Sequence, residues 1–172
     1  DITTPDGTVR SEKGTVVATL TTDDKGKAET DKLYLGKYVI KETKAPEGYL
    51  LNPKEFEVTL AYKDQTTEIV YGDVTVPDQP AKGKIRITKT DAETNKPIPL
   101  GAEFTVTAAE DITTPDGTVR AEKGTVFDTI VTDTTGIARS KELYLGKYVV
   151  KETKQPIGFI RPNQTWDVEL KY

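Results

Sequence analysis

Gly36-Lys37-Tyr38-Val39-Ile40-Lys41-Glu42-Thr43 is the stretch on which the fold turns, and Gly146-Lys147-Tyr148-Val149-Val150-Lys151-Glu152-Thr153 gives it a second time. In an extended chain, residues two apart share a face. Tyr38 and Ile40 form the larger apolar pair, and Glu42 falls on their face. Tyr148, Val150 and Glu152 repeat the arrangement. Aromatic and β-branched residues at a period of two read as half-buried β-strands.

Working outward, the two stretches belong to one long repeat. Residues 1–62 pair without a gap with residues 111–172 at an offset of 110, and 36 of the 62 positions are identical. Asp1-Ile2-Thr3-Thr4-Pro5-Asp6-Gly7-Thr8-Val9-Arg10 returns letter for letter as Asp111 to Arg120. Self-similarity at a fixed period marks an array of equivalent modules. Alternation predicts further strands at 14–21, 55–61, 67–76, 84–90 and 103–108, with second-copy counterparts at 124–132, 147–153 and 165–171. Pro5-Asp6-Gly7, Asp23-Asp24-Lys25-Gly26, Pro46-Glu47-Gly48 and Asn95-Lys96-Pro97 supply the turns. No segment carries a helical stripe. The expected class is all-β, two tandem sandwiches over residues 1–80 and 81–172. Pro77-Asp78-Gln79-Pro80-Ala81-Lys82-Gly83 reads as a short, stiff linker that strings the domains end to end. Residues 63–110 occur once. On this phase the first domain lacks its opening strands and the second lacks its closing strand, as in a segment cut from a longer array.

Composition narrows the chemistry. The 172 residues contain no Cys, no His and no Met. Disulfides and thiolate metal sites are excluded, and the commonest general base is missing. The missing Met fits a processed or excised segment. A net charge of −4 with interspersed signs argues against a nucleic-acid surface. No apolar run approaches the ~20 residues of a membrane helix, and no signal peptide is present. No cofactor or metal site is expected.

Several charges lie in phase with apolar faces. In Lys84-Ile85-Arg86-Ile87-Thr88-Lys89, Ile85 and Ile87 define the inner face, so Lys89 follows them inward. Asp78 shares a face with Val74 and Val76, and Glu42 and Glu152 have been placed above. Burying an isolated charge is costly, and desolvation favours the neutral form of amine and carboxyl alike. A neutral amine is a nucleophile, a protonated carboxyl is electrophilic at carbon, and a second one can move protons. Together these are the parts for an amide bond between side chains. The bland alternative is that strand-end charges curl out to solvent on long stems.

Here the residues resemble a known family. Tyr38-Val39-Ile40-Lys41-Glu42-Thr43-Lys44-Ala45-Pro46-Glu47-Gly48-Tyr49 resembles the signature of collagen-adhesin B-type, or SpaA-type, prealbumin-like (Ig-like) repeats. Such repeats form stalks of Gram-positive surface adhesins and pilins. The second copy keeps the pattern, with Gln155 for Ala and Phe159 for Tyr. Gly83 to Asp91 resembles the family's opening strand, and Asn95 to Phe104 the hairpin after it. The resemblance implies a Lys on the first strand, an Asn or Asp on the last, and an assisting buried Glu, joined as an isopeptide. By position Lys89 matches the nucleophile of domain 2, Asp78 the acceptor of domain 1, and Glu42 and Glu152 the assisting acids. Each triad is short of one member, so no such crosslink is expected inside one copy.

The function expected is structural: a stalk module of a secreted, cell-wall-anchored adhesin or pilus protein, with neighbouring repeats as partners and no nucleic acid or membrane. A covalent bond between first and last strand carries tension past the rest of a domain. It also closes a loop of ~100 residues, which for a disulfide is worth ~4.7 kcal/mol. The alternative is a ligand-binding adhesin module contacting host matrix protein or glycan, which a long, aromatic-rich loop or groove would distinguish. Trp166 aligns with Phe56 inside a strand and is expected in the core, and the repeat-matched tyrosines are expected to pack. An enzyme is not expected; the acid clusters at Asp23/Asp24 and Asp91–Glu93 read as turns and solvated faces. Any chemistry would be one self-directed event. An unpaired strand edge also invites exchange of strands between copies.

Overall fold

A computed structural model describes all 172 residues. It contains no helix. The strands in chain order are β1 (Ile2–Thr3), β2 (Val9–Ser11), β3 (Gly36–Lys41), β4 (Tyr49–Leu50), β5 (Glu55–Leu60), β6 (Gln79–Pro80), β7 (Lys82–Gly83) and β8 (Arg86–Thr88). They continue as β9 (Glu103–Ala108), β10 (Ile112–Thr113), β11 (Val119–Ala121), β12 (Val126–Val131), β13 (Ile137–Arg139), β14 (Leu143–Tyr144), β15 (Gly146–Lys154) and β16 (Thr165–Leu170). The chain divides into two compact units. Unit 1 is Asp1–Lys44 with Asn52–Pro77, and unit 2 is Ala45–Leu51 with Asp78–Tyr172.

Unit 2 is a two-layer sandwich. One layer is an antiparallel sheet in the order β12-β9-β15-β16. The other is built from the short ladders β13-β8 and β14-β7. Strand β9 alternates without error: Phe104, Val106 and Ala108 are buried while Glu103, Thr105 and Thr107 are half-buried. Its neighbour β15 places Tyr148, Val150 and Glu152 opposite Ala108, Val106 and Phe104. Ile85, Ala138 and Leu143 close the core from the second layer. Tyr148 is fully buried, meets Phe127 edge to face at 5.5 Å, and donates its hydroxyl to the Tyr144 carbonyl at 2.6 Å. Burial pushes its pKa up to about 12.

Unit 1 repeats the local devices of unit 2 without the core. β3 pairs with β5 from Gly36↔Leu60 to Lys41↔Glu55, and Tyr38 donates to the Tyr34 carbonyl at 2.6 Å. The turn Thr4-Pro5-Asp6-Gly7 recurs as Thr114-Pro115-Asp116-Gly117. In each copy the threonine hydroxyl donates to the aspartate, at 2.6 Å and 2.7 Å. That bond and those from Thr118 hold the Asp116 carboxyl down at about 2. Arg10 lies 5.1 Å over the Tyr34 ring, and Arg120 lies 5.1 Å over Tyr144. Yet no residue of unit 1 is buried. Unit 1 has no counterpart of β9 beside β3 and none of the β13-β8 and β14-β7 ladders to face it, and Ile40 stays 38% exposed.

Four sequence expectations are corrected. Residues 14–21 form no strand, although their counterpart does as β12; β12 is held by β9, and unit 1 offers no such partner. Residues 67–76 form no strand either. The linker 77–83 is no free spacer: β6 pairs with β4, β7 pairs with β14, and Ala81 between them is buried. Trp166 is 37% exposed, and Tyr34 is 51% exposed, so neither is a core residue. The remaining expected strands are present, with β8 shorter than the 84–90 expected.

Candidate functional site

The site forms where the end of β8 crosses β15. Ile85 and Ile87 turn inward, and the chain stays in extended register just past β8. The Lys89 N–H donates to the Gly136 carbonyl at 2.9 Å, and the Lys89 carbonyl accepts from Ile98 at 2.9 Å. Held on both sides, Lys89 has no freedom to turn over. Its Nζ reaches Glu152 Oε2 at 3.0 Å.

Glu152 comes from the third inward position of β15 and pairs in register with Phe104. Its side chain is 0% exposed, while that of Lys89 is 16% exposed. The second carboxylate oxygen, Oε1, is buried and accepts no hydrogen bond. An ionised carboxylate wants several donors, so one bare oxygen in the core is expensive. An ammonium and a carboxylate at contact can exchange a proton and become an amine and a carboxylic acid without separating charge. The pair can therefore present a nucleophilic nitrogen beside a proton carrier.

The other two candidate residues lie elsewhere. Glu42 follows β3 in unit 1 and is half-buried; its Oε2 accepts from the Asn52 N–H at 2.6 Å, and Asn52 Nδ2 donates to the Pro77 carbonyl at 2.7 Å. Asp78 opens the second segment of unit 2 and is half-buried. The structure thus brings Lys89 and Glu152 together, while Glu42 serves a backbone amide.

Beside the pair lies an open groove of about 470 Å³. Lys84 to Thr90 form one wall, and Phe104, Val150, Trp166 and Val168 form the floor. Trp166 meets Phe104 edge to face at 6.4 Å and stands opposite Val150 across the ladder. Its phase is that of Val168 and Leu170, which are half-buried, so alternation points it at the inner face. It is exposed because nothing covers that end of the sheet, which is a tertiary fact invisible to the pattern. No group of three acidic side chains converges on a metal position.

The fold and site define a class, a prealbumin-like β-sandwich carrying an inward Lys–Glu pair. The model of the SpaA prealbumin-like fold domain matches residues 2–75 and 83–172, and the chain belongs to this family. No curated protein matches it. Among solved structures it is similar to the Bacillus anthracis TIE protein, at 30% identity and a TM-score of 0.58 over 88% of this chain and 25% of that one. It also matches the T6 backbone pilin of serotype M6 Streptococcus pyogenes, at 24% identity and a TM-score of 0.42 over 52% and 16% of the two chains. The shaft pilin of Lactobacillus rhamnosus GG matches at 20% identity and a TM-score of 0.39, over 88% and 65%. The chain therefore spans about a quarter of the TIE protein.

Proposed function

We propose that this chain is a load-bearing shaft module of a Gram-positive surface adhesin or pilus protein, working outside the cell between neighbouring repeats. Lys89 is the nucleophile and Glu152 the assisting acid of an isopeptide bond formed in the full array. Glu42 and Asp78 are the matching assisting acid and acceptor of the preceding module. The single observation that carries the reading is the Lys89–Glu152 contact of 3.0 Å with a buried, unpartnered Oε1 beside it.

Glu152 takes a proton from the Lys89 ammonium. The free Nζ attacks Cγ of an Asn or Asp on a closing strand. The Nζ–Cγ bond forms and the bond from Cγ to the leaving group breaks; Glu152 passes its first proton to that group and takes the second Nζ proton, so ammonia leaves from Asn, or water from a protonated Asp, and the amide nitrogen keeps one hydrogen. No external substrate turns over.

The test is intact mass under denaturing conditions on the longer array that contains this segment. A deficit of one water or one ammonia per module is expected, with peptide mapping placing it on Lys89. Glu152→Ala should abolish the Lys89 deficit. An array with no deficit, or an alanine variant that still crosslinks at Lys89, overturns the reading.

A further inference from the structure

The turn Thr-Pro-Asp-Gly-Thr at residues 4–8 and 114–118 takes no part in the Lys89 site, yet both copies build it alike. Proline at its second position and glycine at its fourth suit a tight turn. Gly7 and Gly117 adopt φ 83° and 81°, which is costly for any residue with a Cβ. The backbone therefore asks for glycine directly after the aspartate. Asp6–Gly7 and Asp116–Gly117 are the only Asp–Gly links in the chain.

Asp–Gly is the link at which a protein chain cyclises most readily. The glycine nitrogen attacks Cγ of the aspartic acid. The N–Cγ bond forms, the Cγ–OH bond breaks, and the hydroxyl leaves as water with the proton of the nitrogen. Water then opens the five-membered succinimide at either carbonyl. One opening restores aspartate; the other gives isoaspartate, with the main chain routed through Cγ. Closure needs a protonated carboxyl group and a glycine nitrogen free to reach it.

The turn withholds both. Thr114 donates its hydroxyl to Asp116 Oδ1 at 2.7 Å, and the Thr118 N–H donates to the same oxygen at 3.1 Å. The Thr118 hydroxyl donates to Oδ2 at 3.0 Å, and Arg120 Nη2 stands 3.9 Å from it. Donors and a cation around a carboxylate favour its ionised form. They also engage the carboxylate with Thr114 and Thr118, on either side of the glycine. The Gly117 N–H is spent on the Thr114 carbonyl at 2.8 Å. The first copy matches it: Asp6 Oδ1 accepts from the Thr4 hydroxyl at 2.6 Å and the Thr8 N–H at 3.1 Å, and Gly7 N–H donates to the Thr4 carbonyl at 2.9 Å. Composition points the same way. The chain has no Cys or Met to oxidise, and Asn52, Asn95 and Asn163 precede Pro, Lys and Gln, never Gly.

We propose that Asp6–Gly7 and Asp116–Gly117 are latent isoaspartate sites, held closed by the hydroxyls of Thr4 and Thr114, with the Thr118 hydroxyl as a further guard in the second copy. The turn keeps the glycine its backbone requires and suppresses the chemistry that glycine invites. This holds whether or not an amide bond forms at Lys89.

The test is ageing of the full chain over several weeks at physiological temperature. Isoaspartate is read by enzymatic methylation of its free α-carboxyl and placed by peptide mapping. The synthetic decapeptide Asp111–Arg120 gives the unguarded rate. Asp116 in the folded chain should isomerise about tenfold more slowly than in the peptide. Thr114→Val should remove most of that protection, and Thr114→Ser, which restores the hydroxyl, should keep it. Denaturant unfolding followed by Trp166 checks that each variant is folded. Thr118→Val, at an exposed position, repeats the test without touching a buried residue and should give a smaller acceleration. A folded chain that ages at Asp116 as fast as the peptide overturns the proposal. So do valine variants that age like wild type, or a Thr114→Ser chain that ages like Thr114→Val.

Discussion

Lys89 and Glu152 show how one contact is made from two independent alternations. Lys89 is the third inward position counted from Ile85, and Glu152 the third counted from Tyr148. Each strand supplies its charge at the end of an apolar face, and the sandwich brings the ends within 3.0 Å. A buried pair of this kind is weak evidence for stability, because desolvation offsets the attraction. Removing one partner is another matter. Lys89→Met strands a fully buried carboxylate and should cost about 3 kcal/mol, the low end of the range, since Lys89 keeps some exposure. Lys89→Met with Glu152→Leu removes both charges and should recover most of that loss. Denaturant unfolding followed by Trp166 fluorescence measures both, and a double variant no better than the single one would refute the account.

Among elements, the turn after β12 separates the two copies. Gly136 adopts φ 78°, and an added Cβ would meet the Ile98 carbonyl oxygen at 2.9 Å. Gly26, its equivalent, adopts φ 70° with nothing within 4 Å. Both glycines are required by the left-handed backbone, at ~1–2 kcal/mol for any L side chain. Only Gly136 adds a backbone clash. Gly136→Ala should therefore destabilise unit 2 by more than the ~1–2 kcal/mol that conformation alone costs. Gly26→Ala should leave the unfolding of unit 2, read by Trp166, unchanged. Equal effects on Trp166 unfolding would contradict the packing difference. The same contrast explains which strands were legible. β9 and β15 follow their alternation because a facing layer rewards it. Residues 14–21 carry a comparable pattern and stay out of a sheet, because unit 1 supplies no neighbour. The short ladders at β6, β7 and β14 carry too few residues for any pattern to show.

Over the whole molecule, two stretches that share 36 of 62 positions yield two very different interiors. The core of unit 2 draws Ile85, Ala102, Phe104, Val106 and Ala108 from the stretch that occurs only once. Apolar burial is the main favourable term in folding, and a unit without a buried residue has little of it. Heating should give two transitions. The lower one belongs to unit 1 and is silent to Trp166; the upper one belongs to unit 2 and moves it. Amide exchange should agree, with β3 and β5 opening well before β9 and β15. A single coincident transition by calorimetry and by Trp166 would show that unit 1 is stabilised as firmly as unit 2.

The sequence by itself determined the class, the repeat, the phase of the long strands and the inward direction of Lys89 and Glu152. All of these follow from period-two sterics and from chemistry that neighbouring residues share along the chain. Only the tertiary structure decided that Lys89 meets Glu152, that Glu42 instead binds the Asn52 amide, that the 77–83 segment is built into ladders, and that Trp166 lines an open groove. Those outcomes depend on which elements face each other across the sandwich, and alternation fixes a side chain's face without naming what lies beyond it.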